Sequence, residues 1–203
     1  MTDYSQFGEQ AHILAWADRQ TQPGSFLDLG CYDGRSYSNT AALADRGWPG
    51  ICVDAAPDAA IACVERYLDR DDISVVNAAF SVAETPDAVT IHWSPGAMYS
   101  AISASKRPEL DLVPIEVAKL DLVWLAERVS DLPRPLFCSI DLEGASIEAL
   151  AWLLEHADPG CICVEANNPP DRAAARELLA DWHEVSLWRN NSNLLFERVM
   201  VTA

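Results

Sequence analysis

Short apolar runs alternate along the chain with segments in which apolar residues recur at helical spacing. This alternation is typical of parallel strands joined by crossover helices, so it predicts an α/β fold. Strands are predicted at residues 25–30, 50–54, 73–80, 136–141, 160–165, 183–188 and 193–201. Helices are predicted near residues 36–46, 57–70, 118–131, 144–156 and 171–182.

The last two predicted strands are separated only by RNNS, which is too short for a crossover helix. They are therefore expected to form a hairpin in which one strand runs antiparallel to the sheet. The expected architecture is a Rossmann-like, doubly wound and mostly parallel seven-stranded sheet closed by an antiparallel C-terminal hairpin. A dinucleotide dehydrogenase would instead have six parallel strands.

Two segments of the pattern carry more specific expectations. The helix predicted at 57–70 opens on a proline and an aspartate and carries one apolar face with Ile61, Val64 and Leu68. Residues 82–117 combine a strand-like alternation, AVTIHWS, with a turn-rich polar stretch. This second segment is expected to be an excursion or flap over the site.

Composition and charge narrow the class of protein. Half of the 203 residues are apolar, which favours one globular domain spanning residues 1–203. The formal net charge of −17 repels phosphate backbones and anionic lipid heads, so neither nucleic acid nor a membrane is expected as a partner. The first residues contain no basic run followed by an apolar block, and no stretch approaches the ~18 apolar residues of a spanning helix. A soluble cytoplasmic protein is expected.

The six cysteines form no C-x-x-C pair, and four of them lie in strand-like apolar runs. This placement predicts reduced core residues. The one close pair, Cys161 and Cys163, alternates as on a strand, which is not the turn spacing of zinc ligands. A zinc site is not expected.

The stretch FLDLGCYDG, residues 26–34, places two acids and two glycines at the end of a predicted strand. In a doubly wound sheet this strand end faces the ligand crevice, where Gly30 and Gly34 let the backbone approach a ligand. Tyr32 occupies the middle glycine position of the dinucleotide pattern G-x-G-x-x-G, which weakens a pyrophosphate interpretation. The carboxylate of Asp28 would repel a pyrophosphate but pair with an ammonium group, as in S-adenosyl-L-methionine. That compound is the predicted cofactor.

The rest of the cofactor has candidate partners further along the chain. Its methionine carboxylate is expected at the start of the next helix, near the side chains of Ser36, Ser38, Asn39 and Thr40. Asp54, at the end of the second strand, stands where an acid takes ribose hydroxyls in this fold class. Asn77 and Ala78, at the end of the third strand, are candidates for the adenine edge. Alternatively, Asn77 satisfies a turn.

A series of blocks occurs in order along the chain: YSQFGEQ, FLDLGCYDGRSYSNTAAL, GWPGICVDAAP, VVNAAFS, LD, SIDLEGAS, ICVEANN and NSNLLFERV. Together they resemble the FkbM family of S-adenosylmethionine-dependent methyltransferases over nearly the whole length. The resemblance implies a class I methyltransferase fold and methyl transfer to an oxygen, often a hydroxyl of a saccharide or other small natural product.

The resemblance also implies roles for individual residues. Gln6 and Gly8 would close over the methionine end, which would be held by Asp28, Gly30, Ser38 and Asn39, and Asp54 would bind the ribose. The chain departs from the family at two positions. Ser146 replaces the second acid of the usual D-x-E-G-x-E stretch, and Asp54 stands where glutamate is frequent.

Methyl transfer from a sulfonium to a hydroxyl requires alignment of the two reactants and removal of one proton. Asp141 and Glu143 follow the fourth predicted strand, and Glu143 is the predicted base with Asp141 as the orienting group. Two other interpretations stay open. Both acids could cap the next helix, or Asp141 could hold Mg²⁺ together with a side chain of the adjacent strand tip, namely Glu165, Asn167 or Asn168.

Within the predicted flap, His92 could face a substrate, and an acceptor wall could be formed by Trp93, Met98 and Tyr99. Two other classes of function remain as alternatives to the methyltransferase. One is a nicotinamide-dependent oxidoreductase, which Asp28 and Tyr32 disfavour. The other is a catalytically silent protein that keeps the fold and binds S-adenosylmethionine.

Overall fold

The computed structural model of the chain describes residues 2–84, 87–95, 100–101, 112–187 and 192–199. The helices are α1 (Glu9–Asp18), α2 (Ala41–Asp45), α3 (Pro57–Arg66), α4 (Leu122–Asp131), α5 (Ser146–His156) and α6 (Pro169–Leu178). The first five strands are β1 (Ser25–Leu29), β2 (Gly50–Asp54), β3 (Ile73–Asn77), β4 (Ala88–Trp93) and β5 (Ser100–Ala101). The others are β6 (Val113–Ala118), β7 (Leu136–Ile140), β8 (Cys161–Glu165), β9 (Trp182–Val185) and β10 (Asn193–Arg198).

Within the described residues, seven of these strands form one sheet in the order β3-β2-β1-β7-β8-β10-β9. The first five strands of this order run parallel to one another, whereas β10 is antiparallel to both β8 and β9. The predicted doubly wound, mostly parallel sheet with an antiparallel C-terminal hairpin is therefore confirmed. Its chain order reverses at β1, which has β2 on one side and β7 on the other.

The central strands are buried on both faces, as apolar runs such as ICVD and LFCSI predict for a parallel sheet covered by helices. One core cluster joins Leu27 and Leu29 of β1 to residues of α4, α5 and α6. The other joins Phe26 of β1 to residues of α1, α2 and α3. Because adjacent residues of β1 belong to different clusters, three helices cover each face of the sheet.

The predicted apolar face of α3 lies on the outside, which corrects the expectation from the sequence. Ile61 and Val64, together with Leu68 after the helix, are exposed. The buried residues of α3 are Ala59, Ala60 and Cys63. Small side chains let the helix lie close to the sheet, so they occupy the inner face although larger apolar residues are present.

Several predicted boundaries also require correction. The helix predicted at 36–46 is the single short helix α2, and residues 35–40 form the loop before it. The helix predicted near 118 begins at Leu122, because residues 113–118 form β6 and Asp121 caps α4 by accepting hydrogen bonds from the backbone N–H groups of Val123 and Trp124. Helix α1 was not predicted, since its buried residues include Glu9 and Gln10 and leave little apolar periodicity.

Part of the predicted excursion at 82–117 forms a second, three-stranded antiparallel sheet in the order β5-β4-β6. Its residues Ile91 and Val117 pack with Ala79, and Ala55 at the end of β2 lies against the same cluster. Trp93 donates a hydrogen bond from Nε1 to the Asp58 carboxylate at 2.9 Å. The small sheet is thus fastened beside the carboxyl ends of β2 and β3. Met98 and Tyr99 lie outside the described residues.

None of the helices in the described part of the chain has both the length and the apolar character that crossing a bilayer requires.

The outward orientation of α3 can be tested by comparing two substitutions. Ile61→Gln should change the free energy of unfolding by less than about 0.5 kcal/mol, because the side chain is 61% exposed. Leu125→Ala should cost about 2–5 kcal/mol, because Leu125 is 0% exposed and a cavity would remain. Urea unfolding of both variants provides the measurement. A cost above about 2 kcal/mol for Ile61→Gln would contradict this orientation.

Candidate functional site

The predicted site residues follow strands that end at one edge of the sheet. Strands β1, β2, β3, β7 and β8 are parallel, so the loops after them meet at their common carboxyl edge. Ligands of doubly wound folds bind at this edge, where the strand order reverses. In this chain the reversal lies between β1 and β7.

Asp28 is a buried carboxylate within β1, one residue before the strand ends. Its Oδ2 accepts a hydrogen bond from the Thr40 hydroxyl at 2.5 Å. Ser38 lies 3.2 Å from that hydroxyl and accepts a hydrogen bond from the backbone N–H of Ala41, the first residue of α2. The buried acid therefore fixes the loop that leads into α2. Burial raises the pKa of Asp28 to about 7, although the hydrogen bond from Thr40 acts in the opposite direction.

Asn39 extends from the same loop across β7 and β8. Its Nδ2 lies 3.4 Å from the Ser139 hydroxyl oxygen and 3.5 Å from the Cys163 sulfur. These two residues are paired in the sheet, and Ser139 is also paired with Asp28. The Asn39 Oδ1 is buried and has no hydrogen-bond partner in the structure. An unpaired buried acceptor is costly, so this oxygen is suited to receive a donor from a ligand.

The two glycines of the loop after β1 are explained by packing within the protein. At Gly30, φ is +87° and a Cβ would lie 1.8 Å from the Asp141 carbonyl oxygen. At Gly34, φ is +68° and a Cβ would contact Tyr67 and Cys63, and the Tyr67 hydroxyl donates to the Gly34 carbonyl. Both positions require glycine because neighbouring chain segments come too close, irrespective of any ligand.

Asp54 joins the loops that follow β1 and β2. Its Oδ2 accepts a hydrogen bond from the Tyr32 backbone N–H at 2.7 Å, and its Oδ1 accepts one from the Ala56 backbone N–H at 2.8 Å. These bonds hold Tyr32 at a left-handed φ of 49°. Burial raises the pKa of Asp54 to about 6, against the lowering effect of the two backbone donors. Asp54, the residue predicted to bind the ribose, thus also shapes the loops around it.

At the tip of β3, most hydrogen-bond donors are bonded to carbonyl oxygens of the neighbouring backbone. Asn77 donates from Nδ2 to the carbonyls of Asp54 and Ala55 at 2.9 and 3.1 Å. The backbone N–H of Ala78 donates to the Asp54 carbonyl, and Ala78 is buried in the core. The alternative interpretation of Asn77 as a residue that satisfies a turn is consistent with these contacts. Its side-chain oxygen remains a candidate acceptor at the edge.

The N-terminal segment lies next to this loop system, because Ser5 forms a β-bridge with Tyr37. Gln6 is exposed, and Gly8 has a φ of +90° at the N-cap of α1. The next residue, Glu9, is fully buried, and its carboxylate accepts hydrogen bonds from the backbone N–H of Phe7 and from Asn193 of β10. The sequence prediction missed Glu9. The signal in the sequence was an acid at the start of a helical segment, followed by Gln10. In the structure, the Gln10 side chain accepts a hydrogen bond from the Tyr4 N–H, and the Gln10 backbone N–H donates to the Ser5 hydroxyl.

Three carboxylates meet beyond the ends of β7 and β8. Oxygens of Asp141, Glu143 and Glu165 all lie within 4.8 Å of one another. The Asp141 side chain is exposed to solvent. Protein atoms around the carboxylate nevertheless desolvate it, which raises the pKa of Asp141 well above its ordinary value, and the nearby charge of Glu165, which shares a hydrogen bond with it, raises the pKa further.

The turn that carries Glu143 has an unusual backbone. Glu143 itself has a left-handed φ of 43°, and the following glycine has a φ of 115°. The Ser146 hydroxyl accepts a hydrogen bond from the Leu142 N–H at 3.0 Å, so this position stabilises the turn. Helix α5 begins at Ser146 with Ala145 at its N-cap. The helix predicted to begin at residue 144 therefore starts later, and neither Asp141 nor Glu143 occupies the capping position.

The asparagines after β8 have other contacts than those predicted. Asn168 caps α6, because its Oδ1 accepts a hydrogen bond from the Asp171 N–H at 2.9 Å and its Nδ2 donates to the Asp171 carboxylate. Asn167 donates to Glu165. The carboxylates of Glu143 and Glu165 therefore lie close to Asp141, whereas the Asn168 side chain is occupied at the start of α6. His92 lies half-buried on β4, in the small sheet.

No protein-family model matches the chain, and no curated protein sequence matches it. Solved structures with a similar fold include precorrin-6y C5,15-methyltransferase from Geobacter metallireducens, with a TM-score of 0.51 and 12% identity over 98% of this chain and 93% of that one. The METTL16 methyltransferase domain gives a TM-score of 0.53 and 12% identity over 95% and 67% of the two chains. Precorrin 8W decarboxylase from Methanobacterium thermoautotrophicum gives 0.51 and 14% over 98% and 93%. The chain has the Rossmann-like fold of class I methyltransferases.

The buried carboxylate of Asp28 predicts a pH dependence of stability in the protein without ligand. Because its folded pKa of about 7 lies above the unfolded value of about 4, the folded state holds a proton in this range that the unfolded state has lost. The contribution of Asp28 to stability therefore falls as the pH rises from about 4 to 7. The stability of Asp28→Asn relative to the wild type should rise over the same range, by at most about 4 kcal/mol.

Urea unfolding of both proteins between pH 4.5 and 8 measures this difference. Asp131→Asn, at the exposed end of α4, controls for the loss of one negative charge. Parallel stability profiles of the wild type and Asp28→Asn would contradict the raised pKa.

Proposed function

We propose that the chain is an S-adenosylmethionine-dependent methyltransferase that acts on a hydroxyl group of a small molecule. The observation that carries the proposal is the buried, unpaired Asn39 Oδ1 at the strand-order reversal of a class I methyltransferase fold. A ligand with an amino group beside this oxygen would satisfy it. S-adenosylmethionine has such a group at its methionine end.

The donor set around Asn39 fits that end of the cofactor. Asp28 supplies negative charge from the neighbouring strand β1, and Ser38 and Thr40 hold the loop through the hydrogen bonds described above. An ammonium group favours the ionised form of Asp28, so binding would lower the pKa that burial has raised. Gln6 and Gly8 belong to the neighbouring N-terminal segment, where they are expected to close over the methionine end.

The nucleoside end fits the tips of β2 and β3. Asp54 already accepts one backbone hydrogen bond on each oxygen, and each carboxylate oxygen has a further lone pair that a ribose hydroxyl could use. Asn77 retains its side-chain oxygen as an acceptor for an adenine amino group. Ala78 contributes only its small size, because its N–H is bonded to Asp54. Tyr32 lies half-buried in the loop after β1, where its backbone N–H donates to Asp54.

When bound, S-adenosylmethionine supplies an electrophilic methyl group on a sulfonium. The chain must orient the acceptor oxygen and remove its proton. Glu143 is the proposed base, because its turn places a carboxylate directly after β7. Asp141, which shares a hydrogen bond with Glu165, is the proposed orienting group. In the alternative, metal-dependent mechanism, the same three carboxylates would act as hard oxygen ligands for Mg²⁺, which would neutralise their mutual repulsion.

The acceptor class rests on charge and on the sequence resemblance to the FkbM family. A formal net charge of −17 disfavours nucleic acid as a substrate, so we expect a small molecule, such as a saccharide or another natural product with a free hydroxyl group. His92 and Trp93 lie on the small sheet beside the edge and are candidates for contact with the acceptor.

Calorimetric titration with S-adenosylhomocysteine and with NAD tests the cofactor. We expect tight binding of S-adenosylhomocysteine and little binding of NAD. Asn39→Ala should weaken S-adenosylhomocysteine binding by about 1–3 kcal/mol, because the ligand amino group loses its acceptor. Gln22→Ala, at an exposed position of the opposite edge, should leave the affinity unchanged. Preferential binding of NAD would contradict the proposal and favour a nicotinamide-dependent oxidoreductase.

Transfer of a labelled methyl group to a set of hydroxyl compounds tests the chemistry. Once an acceptor is identified, Glu143→Gln should lower turnover by about 10²–10⁴-fold while S-adenosylhomocysteine binding is retained, because the amide cannot take up the proton. Glu148→Gln, on the exposed side of α5, is the matched control. A different pair of results would assign the reaction to a metal site: Glu143→Gln keeps full activity, and Asp141→Asn loses both turnover and Mg²⁺ dependence. Cofactor binding without transfer to any compound would favour a catalytically silent protein.

A further inference from the structure

Three buried cysteines from three separate elements meet beneath the loop after β1. Cys31 follows Gly30 in that loop, Cys52 lies in β2 and Cys63 lies in α3. All three are free thiols, and their exposed fractions are 3%, 0% and 0%. Their sulfur atoms lie within 4.8 Å of one another, and those of Cys31 and Cys63 are 3.8 Å apart. No local pattern in the sequence indicates this group, because its members are far apart in the chain.

The spacing of the sulfurs suits a single ion at their centre. Metal–thiolate bonds are about 2.3 Å long, so three sulfurs in a trigonal plane around one ion are about 4 Å apart. Free thiols in van der Waals contact can be as close without any ion. Among the described residues, this group differs from the other core cysteines in that three sulfurs from three elements lie within 4.8 Å of one another.

The ligand set restricts the kind of ion. Among the described residues, no histidine or carboxylate belongs to the group, and its burial leaves no room for a solvent ligand. Zn²⁺ in structural sites takes four ligands, whereas soft thiolates also select Cu(I), which accepts three sulfurs. We propose that Cys31, Cys52 and Cys63 form a three-sulfur site for a soft thiophilic ion, and that Cu(I) is the ion it suits best.

Charges of both signs act on this site, because Asp33 and Arg66 both lie near Cys63. Binding of one Cu⁺ to three thiols forms three copper–sulfur bonds and releases three protons to solvent, which leaves a complex of charge −2. Arg66 lies one turn after Cys63 on α3, and its charge acts on that residue. Its Nε is buried without a hydrogen-bond partner in the structure, while its Nη2 forms an ion pair with Asp45 at 2.6 Å. A cation at this position partly offsets the negative charge of the complex.

An occupied site would tie three elements together. Cys31 belongs to the loop that Asp54 also holds through Tyr32, while Cys52 and Cys63 belong to the strand and helix beneath it. The ion would therefore connect the loop of the candidate site directly to β2 and α3. This property is independent of the proposed methyl transfer.

The test uses the full-length reduced chain without oxygen. Cu(I) is added from a competing chelator, both to the folded protein and during refolding, because the site is buried. We expect one Cu(I) per chain and an X-ray absorption spectrum with three sulfur neighbours at about 2.3 Å. Alanine substitution of each of the three cysteines should lower the affinity at least about tenfold. Cys138→Ala removes another fully buried thiol, in β7, and should leave the affinity unchanged.

Since a core substitution can prevent folding, the spectrum of the wild-type protein provides a test that requires no variant. Fewer than three sulfur neighbours, or nitrogen or oxygen neighbours, would overturn the proposal. It would also be overturned by the absence of stoichiometric Cu(I) under both loading conditions, or by equal losses of affinity in Cys138→Ala and the three cluster variants.

Discussion

The hydrogen bond between Asp28 and Thr40 is the interaction on which the candidate site depends. A carboxylate inside a parallel sheet is costly unless a donor compensates it, and the Thr40 hydroxyl is the nearest such donor. This requirement determines the path of the loop before α2. It brings Ser38 to the first residue of that helix and extends Asn39 over β7 and β8. The position of the unpaired Asn39 Oδ1 therefore follows from a buried acid in β1.

The loops around this acid are held closely by backbone contacts. Gly30 leaves room for the Asp141 carbonyl, and Gly34 leaves room for the side chains of α3. Asp54, at the end of β2, accepts backbone hydrogen bonds from the loop after β1 and from the loop after β2. The glycines and acids of the FLDLGCYDG stretch consequently have structural tasks in the protein alone. Ligand binding is an additional use of a backbone that is already fixed, which is the preorganisation that binding sites require.

The acids of the edge belong to two different environments. Asp28 and Asp54 each accept hydrogen bonds from donors of the chain, which partly compensate their burial. Asp141, Glu143 and Glu165 lie close to one another, and repulsion between like charges raises the pKa of Asp141 beyond the effect of desolvation. The first pair suits the recognition of a polar ligand. The second group suits the handling of a proton or a cation, because the repulsion is relieved when either is bound.

The sequence by itself determined the α/β class, the parallel strands, the C-terminal hairpin and the edge at which the candidate residues lie. These features follow from local patterns: apolar runs, turn lengths and acids or glycines directly after strands. Tertiary structure decided the rest. It turned Ile61 and Val64 outward, because small residues of α3 allow closer packing. It buried Glu9 against Asn193 and gathered Cys31, Cys52 and Cys63, since contacts between distant segments leave no periodic signal in the chain.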